Sequence, residues 1–341
     1  DGSGLYLTVA QRGTSNVWFV PAAGGDPRAV TRGTHMLSAS SVAANGTAVG
    51  LRTDAASPPE VVRLDLKSGQ WTALTQVNRD VLGRLTLGAV EEVTYTSSGN
   101  TKVQGWLVKP PGFDATKRYP LIMEIHGGPH GMYNVAFSPM YQHFAANGYL
   151  VLYTNPRGST GYGSAFGNAI ERAYPSVDYD DLMAGIDATI AKGIVDTTRM
   201  YVGGCSGGGV LSSWVIGQNN RFAAAAVRCP VINWMSMAGQ TDIPYFTYNF
   251  FDKPFWEDPM PWLKQSSLMT VGRVTTPTLV MTGELDLRTP MPQSEEYYAA
   301  LKVRGVPTEL LRFEGEYHGT SSRPSNWMRT QLYMLSWYNR W

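Results

Sequence analysis

The sequence has little charge and almost no cysteine. Only 16% of its 341 residues are Asp, Glu, Lys or Arg, and the formal net charge at pH 7 is +1. A chain this close to neutrality, with no basic run, lacks the positive field that gathers nucleic acid or an anionic membrane surface. Two cysteines are too few for a disulfide framework, and they do not form a metal-type pair.

Long apolar runs are also missing. No apolar stretch reaches the roughly 18 residues that span a bilayer, so we expect no membrane partner. The chain begins at Asp1 with neither Met nor a signal peptide, and we expect that residue 1 is not the start of translation. The sequence leaves the localisation open between the cytoplasm and the periplasm or exterior. Its 43% hydrophobic content is that of an ordinary globular protein.

Residues 1–85 show strand patterns only. Short alternating apolar runs are separated by turn-forming residues such as Gly24 and Gly25. A four-stranded propeller blade takes about 40–50 residues, so this segment holds about two blades. A closed propeller needs at least four blades. We therefore favour the last blades of a propeller, with a small β sandwich or extension as the alternative.

Residues 86–341 alternate between strand and helix patterns, which predicts a second domain of α/β class. Predicted strands fall at 92–96, 103–108, 121–125, 150–154, 200–203, 223–227, 278–281 and 309–313. Predicted helices fall at 139–146, 179–191, 207–218, 293–303 and 326–338. The later strands are continuous apolar runs, as in strands covered on both faces. This order predicts a mostly parallel sheet with helices on both faces, the arrangement of an α/β-hydrolase fold.

A glycine-rich stretch at 203–209 carries the strongest chemical signal. It follows a predicted strand and opens a predicted helix, which is the context of a G-x-S-x-G nucleophile elbow. Two registers fit the glycines, one with Ser206 at the tip of the turn and one with Cys205 there. A structural glycine-rich turn without chemistry would show the same pattern.

An acid and a histidine follow in the order that a catalytic triad on this fold requires. His318 is the only histidine after residue 206, and it lies in a loop beyond the last predicted strand. Asp286 directly follows the strand at 278–281 and is the preferred acid, with Glu284 as the alternative. The loop at 126–130, His-Gly-Gly-Pro-His, leaves the strand at 121–125 and matches an oxyanion loop. Metal binding by His126 and His130 is disfavoured. Pro129 lies between them and prevents the helix that would place residues i and i+4 side by side.

Residues 90–341 resemble the catalytic domain of the prolyl oligopeptidase family of serine peptidases. The resemblance is closest to its acylaminoacyl-peptidase and bacterial dipeptidyl-peptidase branch. It rests on the stretches 126–131, 155–163, 203–218, 229–234, 241–244, 283–290 and 317–319. Residues 1–85 resemble the final blades of the family's N-terminal propeller.

The resemblance implies roles for individual residues. It places the nucleophile on Ser206, the acid on Asp286 and the base on His318. It implies oxyanion donors at the backbone N–H groups of Gly207 and Gly128. It also implies an apolar substrate pocket at Trp234, Met237 and Tyr245, with Phe246 beside Tyr245 on the following loop. The sequence departs from the family at Cys205, usually Gly or Trp, and at Gly207, commonly Tyr or His.

These features predict a serine peptidase that hydrolyses short peptides through an acyl-enzyme, with amino-terminal specificity of the acylaminoacyl or dipeptidyl type. No metal or organic cofactor is expected. Further expected partners are the peptide substrate and either the missing propeller portion or another copy of the chain. An esterase of the same fold and a non-catalytic binding module derived from a hydrolase are the alternatives. The sequence does not separate exopeptidase from endopeptidase action.

Overall fold

The computed structural model describes residues 2–341. Its first sheet is all-β and contains eight short strands. They are β1 Gly4–Gln11, β2 Thr14–Pro21, β3 Arg28–Ala29, β4 Met36–Leu37, β5 Ser41–Val42, β6 Thr47–Asp54, β7 Ser57–Asp65 and β8 Trp71–Ala73. The hairpin β1–β2 and the meander β6–β7–β8 are antiparallel. They are joined through β4, which pairs with β2 at a single parallel bridge and with β6 in antiparallel fashion.

The second sheet has eight strands in the order β16-β15-β14-β13-β11-β12-β10-β9. They are β9 Val90–Thr96, β10 Lys102–Val108, β11 Tyr119–Ile125, β12 Leu150–Asn155, β13 Val195–Cys205, β14 Ala224–Arg228, β15 Thr278–Gly283 and β16 Thr308–Phe313. The pairs β9–β10 and β10–β12 are antiparallel, and the other pairs are parallel. Each strand overlaps a strand predicted from the apolar runs.

Residues 2–341 also form nine α-helices. They are α1 Arg79–Leu82, α2 Pro139–Ala146, α3 Ser164–Gly167, α4 Val177–Ile190, α5 Gly207–Gln218, α6 Trp234–Gln240, α7 Pro259–Lys264, α8 Met291–Val303 and α9 Pro324–Arg340. The five predicted helices correspond to α2, α4, α5, α8 and α9. The short helices α6 and α7 were not predicted. No helix within residues 2–341 has the length and apolar character needed to cross a bilayer.

Alternate residues of the central strands enter two separate cores. In β12, Leu150 and Leu152 belong to a core that includes Leu182 of α4 and Val215 of α5. Their neighbours Val151 and Tyr153 belong to a second core, to which α2 and α9 contribute. Because strand side chains alternate between the two faces, the two cores lie on opposite sides of the sheet. The predicted covering of both faces is therefore observed.

The β1–β2 hairpin contacts the second sheet's domain through its turn. Arg12 N–H donates to Gly161 O at 3.2 Å, and Gly13 O accepts from Val135 N–H at 2.9 Å. Gly13 has a φ of +71°, and a Cβ there would lie 2.3 Å from the ring of Trp106. Only glycine meets both requirements, so the turn packs directly on this ring. The last strand of the first sheet ends at Ala73. The domain boundary expected between residues 85 and 86 stays a prediction.

The first sheet leaves apolar side chains in solvent. Leu5 and Leu7 of the edge strand β1 are 65% and 44% exposed, and Leu51 of β6 is 47% exposed. Val17, Leu64 and Leu66 are buried in a small core of the same sheet. An edge strand with an exposed apolar face can pair with another chain. This surface therefore bears on the question of partners.

Candidate active site

Ser206 lies at the sharp turn between β13 and α5. Its backbone has φ +62° and ψ −120°, a strained conformation for a residue with a side chain. The surrounding glycines make the turn possible. A Cβ on Gly204 would lie 2.6 Å from the backbone of Gly208, and a Cβ on Gly208 would lie 2.1 Å from Ile125 O. This is the strand–turn–helix geometry that the elbow pattern predicts.

Cys205 is bonded to Cys229 in a disulfide, and the chain has no free cysteine. The alternative register, with Cys205 as nucleophile, is wrong because its sulfur is already bonded. The low cysteine count correctly excluded a framework but did not reveal this single bridge. The two residues are 24 positions apart in sequence. They meet because β13 and β14 are adjacent parallel strands, with Cys205 opposite Arg228.

Asp286 and His318 form a hydrogen-bonded pair at the ends of two neighbouring strands. His318 Nδ1 lies 2.9 Å from Asp286 Oδ2. The carboxylate is buried, and its Oδ1 accepts from the backbone N–H groups of Arg288 at 2.8 Å and Thr289 at 2.9 Å. The Thr289 hydroxyl lies 3.1 Å from Oδ2. These contacts fix the carboxylate so that it orients the imidazole. The alternative acid, Glu284, is exposed to solvent.

The loop that carries His318 is anchored by Glu316, which the sequence reasoning missed. The carboxylate is buried and accepts from Asn326 Nδ2 at 2.8 Å, and from the N–H groups of Ser322 and Arg323. Burial raises the pKa of Glu316, but the hydrogen bonds from Ser322, Asn326 and Arg323 outweigh it and hold that pKa below its usual value. Glu316 therefore ties the histidine loop to the start of α9.

Replacing Glu316 with Gln is expected to lower kcat by about tenfold with little change in KM, because the histidine loop loses its anchor. A carboxylate whose pKa is depressed by folding stabilises the native state above its unfolded pKa. That contribution is lost as the pH falls through the folded pKa. Melting temperatures measured from pH 7 down to pH 3 should therefore fall less steeply for Glu316→Gln than for the unchanged chain. Glu314→Gln, at an exposed position of the same loop, is the control, and equal acid sensitivity in all three proteins would contradict this role.

The predicted oxyanion loop lies against the elbow. Gly128 has a φ of +129°, and its backbone N would be 2.9 Å from a Cβ added to Gly207. The two backbone N–H groups proposed as oxyanion donors thus belong to segments in close contact. The imidazole of His126 contacts other groups: its Nδ1 lies 2.7 Å from Gly127 O, and its Nε2 lies 2.9 Å from Ser159 Oγ.

Ser206 and His318 line one cavity of about 260 Å³. The other lining residues are mostly apolar or glycine: Gly128, Tyr174, Gly207, Val210, Val231, Trp234, Met237, Ile243, Phe246, Arg288 and Thr289. The structure therefore brings the predicted nucleophile, base, oxyanion glycines and two pocket residues to one place. Asp286 lies behind His318.

Tyr245 is a correction to the predicted pocket. Its side chain is 83% exposed and stacks on Tyr248, with 6.2 Å between the ring centroids. It does not line the cavity, whereas its neighbour Phe246 does. The two residues belong to a 3₁₀ helix at Pro244–Asn249, in which consecutive side chains point in different directions. The prediction that Tyr245 lines the pocket is therefore wrong, and Phe246 takes that place.

The wall of the cavity depends on α6 and on Tyr174, neither of which was predicted. Helix α6 begins after Asn233, whose side chain accepts from the N–H groups of Met235 and Ser236. This cap sets the first turn so that Trp234 and Met237 are buried toward the cavity. The Tyr174 ring lies 5.9 Å from that of Trp234, and its hydroxyl donates to Gly207 O at 3.1 Å. An Asn before an apolar stretch was the available sequence signal for α6.

The pattern of the prolyl oligopeptidase family matches residues 135–341, well over half of the chain. The chain belongs to the prolyl oligopeptidase family. This family consists of serine peptidases, and membership confirms the resemblance drawn from the motifs. The matched residues include the elbow, Asp286, His318 and the wall at α6.

Individual members of the family are similar over most of the chain. The uncharacterized peptidase YuxL of Bacillus subtilis is 38% identical over 271 residues, which cover 78% of this chain and 41% of YuxL. Dipeptidyl-peptidase 5 of Porphyromonas gingivalis is 28% identical over 348 residues, covering 100% of this chain and 51% of the relative. The chain thus spans about half or less of the length of these relatives.

A solved acylaminoacyl peptidase structure has the same fold. The acylaminoacyl peptidase of Pyrococcus horikoshii superposes with a TM-score of 0.88 at 27% identity, covering 97% of this chain and 53% of that protein. The superposition extends over both sheets. It confirms the predicted α/β-hydrolase fold preceded by an all-β segment of propeller type.

Proposed function

We propose that the chain is the catalytic part of a serine peptidase that acts on short peptides. The observation that carries this proposal is the single cavity lined by Ser206, His318, Gly207 and Gly128, with the buried Asp286 bonded to His318. A nucleophile, a base oriented by an acid, and two backbone donors are the parts that acyl transfer requires.

In the proposed mechanism, His318 accepts the proton of Ser206 as the serine oxygen attacks the scissile carbonyl. Asp286 holds Nδ1 of His318 protonated, which leaves Nε2 free to act as the base, and it stabilises the imidazolium that forms. The N–H groups of Gly207 and Gly128 stabilise the negative oxygen of the tetrahedral intermediate. His318 then donates its proton to the leaving amine. Water releases the acyl group from Ser206 by the same steps in reverse.

The pocket supports a preference for an apolar side chain at the residue that supplies the scissile carbonyl. Trp234, Met237 and Phe246 contribute apolar surface beside Ser206. Arg288 also lines the cavity, but its guanidinium is already paired with Asp242 at 2.7 Å. An acidic side chain would therefore lose its hydration there without gaining an unpaired cation. We expect kcat/KM for Phe or Leu at this residue to exceed that for Asp by at least about tenfold.

Met237→Ala is expected to lower kcat/KM for a substrate with Phe at this residue by about tenfold, because the pocket loses contact surface. Met235→Ala is the matched control, since Met235 lies on the same helix but does not line the cavity. Kinetics on one peptide series measure both variants. Equal losses in the two variants would assign the effect to helix stability rather than to the pocket.

The proposed mode of action is amino-terminal, of the acylaminoacyl or dipeptidyl type. Its support is the similarity to an acylaminoacyl peptidase and to dipeptidyl-peptidase 5. Hydrolysis of a peptide library with blocked and free amino termini tests it. Preference for N-acylated residues or for free dipeptidyl units selects between the two types, and cleavage within long peptides would contradict both. Turnover of matched esters without peptides would favour the esterase, and no turnover at all would favour a binding module.

We further propose that the first sheet needs a covering partner, either the rest of a propeller or another copy of the chain. Its support is the exposed apolar face at Leu5, Leu7 and Leu51 and the length of the relatives, about twice that of this chain. We expect the isolated 341-residue chain to self-associate, because burial of these side chains is favourable. Light scattering measures this, with Leu5→Lys/Leu7→Lys expected to reduce association. A stable monomer of 37.4 kDa would contradict the proposal.

A further inference from the structure

The Cys205–Cys229 disulfide is connected to two of the proposed triad residues, Ser206 and Asp286. Cys205 directly precedes Ser206 in the chain. The carbonyl oxygen of Cys229 accepts from the Ser206 N–H at 3.1 Å, and the Thr289 hydroxyl lies 2.9 Å from the same oxygen. Thr289 in turn contacts Asp286. Cys229 therefore lies between the nucleophile and the acid.

The backbone of Cys229 is held in an unfavourable conformation. Its φ is +36°, a value that few residues other than glycine adopt. Such a conformation persists only where the surroundings hold it. Cys229 N–H donates to Met281 O at 2.7 Å, and the bridge to Cys205 restrains the side chain. Opening the bridge removes one of these restraints and allows the Cys229 carbonyl to move.

The two cysteines differ in exposure. Cys229 is completely buried, whereas Cys205 is partly exposed on the elbow. A thiolate attacks the disulfide sulfur that it can reach, and the other sulfur leaves. The chain contains no other cysteine, so any effect of a thiol reagent must act through this pair.

We propose that the Cys205–Cys229 disulfide is a redox-sensitive positioning element of the active site, opened by low-molecular-weight thiols at Cys205. The thiolate of such a thiol forms a bond to Cys205 Sγ, and Cys229 leaves as a thiolate that takes up a proton. A second thiol attacks the mixed disulfide, releases the oxidised small-molecule disulfide and leaves Cys205 reduced. Two thiols are oxidised and one protein disulfide is reduced. Re-oxidation by a small-molecule disulfide reverses both steps.

This inference rests on the proposed function, because it assigns the bridge a role in holding Ser206 and Asp286. The catalytic groups all remain after reduction, but the Cys229 carbonyl that contacts the Ser206 amide and Thr289 is less restrained. Small misplacements of reacting groups lower the rate of the chemical step. Neither cysteine lines the apolar pocket, so we expect its shape to remain the same. Reduction should therefore lower kcat by about fivefold to tenfold and leave KM nearly constant.

The test measures kcat and KM of the unchanged chain before glutathione treatment, after it, and after re-oxidation with oxidised glutathione. Thiol titration follows the state of the bridge, and mass spectrometry of proteolytic fragments identifies the cysteine that carries glutathione. We expect glutathione on Cys205, a reversible fall in kcat and a steady KM. The Cys205→Ser/Cys229→Ser double variant should show the low kcat under all conditions and no response to thiols.

The possible outcomes distinguish the redox proposal from the proposed function. Unchanged kcat in a chain titrated as fully reduced, a bridge that resists glutathione, or glutathione on Cys229 would overturn the redox proposal. A fully oxidised chain that neither hydrolyses peptides nor reacts with a fluorophosphonate would instead overturn the proposed function. If the double variant does not fold, the reversible reduction of the unchanged chain still decides the matter.

Discussion

Ser206→Ala is expected to lower kcat by about 10⁴-fold or more. The remaining groups cannot form an acyl-enzyme without the serine oxygen, and members of a triad act as a unit. The structure supports this size of effect because Ser206 occupies a strained turn that serves to present its side chain at the cavity. Steady-state kinetics on the best peptide of the library measures the loss.

The matched control is Ser40→Ala, at an exposed serine in the connection between β4 and β5. It should keep full activity. Circular dichroism and melting temperature should show that Ser206→Ala still folds, because alanine keeps the Cβ of serine and removes only the hydroxyl. A loss of less than tenfold in Ser206→Ala would mean that the nucleophile lies elsewhere.

Asp286→Asn should lower kcat by about 10³-fold to 10⁴-fold, the second largest effect that we expect. The amide would present a donor or a weaker acceptor to His318 Nδ1, which lies 2.9 Å from the carboxylate. The imidazole would then adopt the wrong tautomer, and its cationic form would lose a stabilising charge. The loop should stay folded, because the amide oxygen of asparagine can still accept from the N–H groups of Arg288 and Thr289 that now bind the carboxylate.

Glu284→Gln provides a matched control, because Glu284 was the alternative acid and lies two residues away in the exposed part of the same loop. It should retain activity within about twofold of the unchanged chain. Kinetic measurements on both variants, made side by side, distinguish the two acids. A large loss in Glu284→Gln with a small loss in Asp286→Asn would reverse the assignment.

The sequence was sufficient to predict the second sheet and the positions of its main helices. The bounds of α2 and α5 agree with the residues predicted for them. These elements were accessible because buried parallel strands are continuous apolar runs, and because Gly-rich and Pro-containing segments separate them. The elbow was accessible because a strand, a glycine-rich turn and a helix follow one another directly in the chain. Its glycines are nevertheless required partly by distant contacts, such as that of Gly208 with Ile125 O.

Other features depend on contacts between segments that are distant in sequence. Tyr174 reaches the elbow through its hydrogen bond to Gly207 O, 33 residues later. The Cys205–Cys229 bridge depends on the pairing of β13 with β14. Neither is encoded by a local periodicity. Tyr245 and Phe246 show the same limit, because the choice between adjacent residues depends on the direction of a 3₁₀ helix.

The first sheet was predicted as β structure from its short apolar runs at 5–10, 16–20, 48–51, 60–64 and 70–75. Its strands β1, β2, β6, β7 and β8 overlap these runs. The contact of the β1–β2 turn with Trp106 was not predicted. The positive φ of Gly13 already explains why a glycine stands at this hairpin turn. The sequence therefore gives no separate signal that Gly13 also packs on an aromatic ring.

The reaction of the folded, oxidised chain with a fluorophosphonate tests the central claim most directly. The reagent phosphonylates an activated serine and requires both the base and the oxyanion donors. Mass spectrometry of the proteolytic digest then locates the adduct. We predict a single adduct on Ser206, absent from Ser206→Ala and strongly reduced in Asp286→Asn. An adduct on another residue, or no adduct on a chain shown to be folded, would contradict the account.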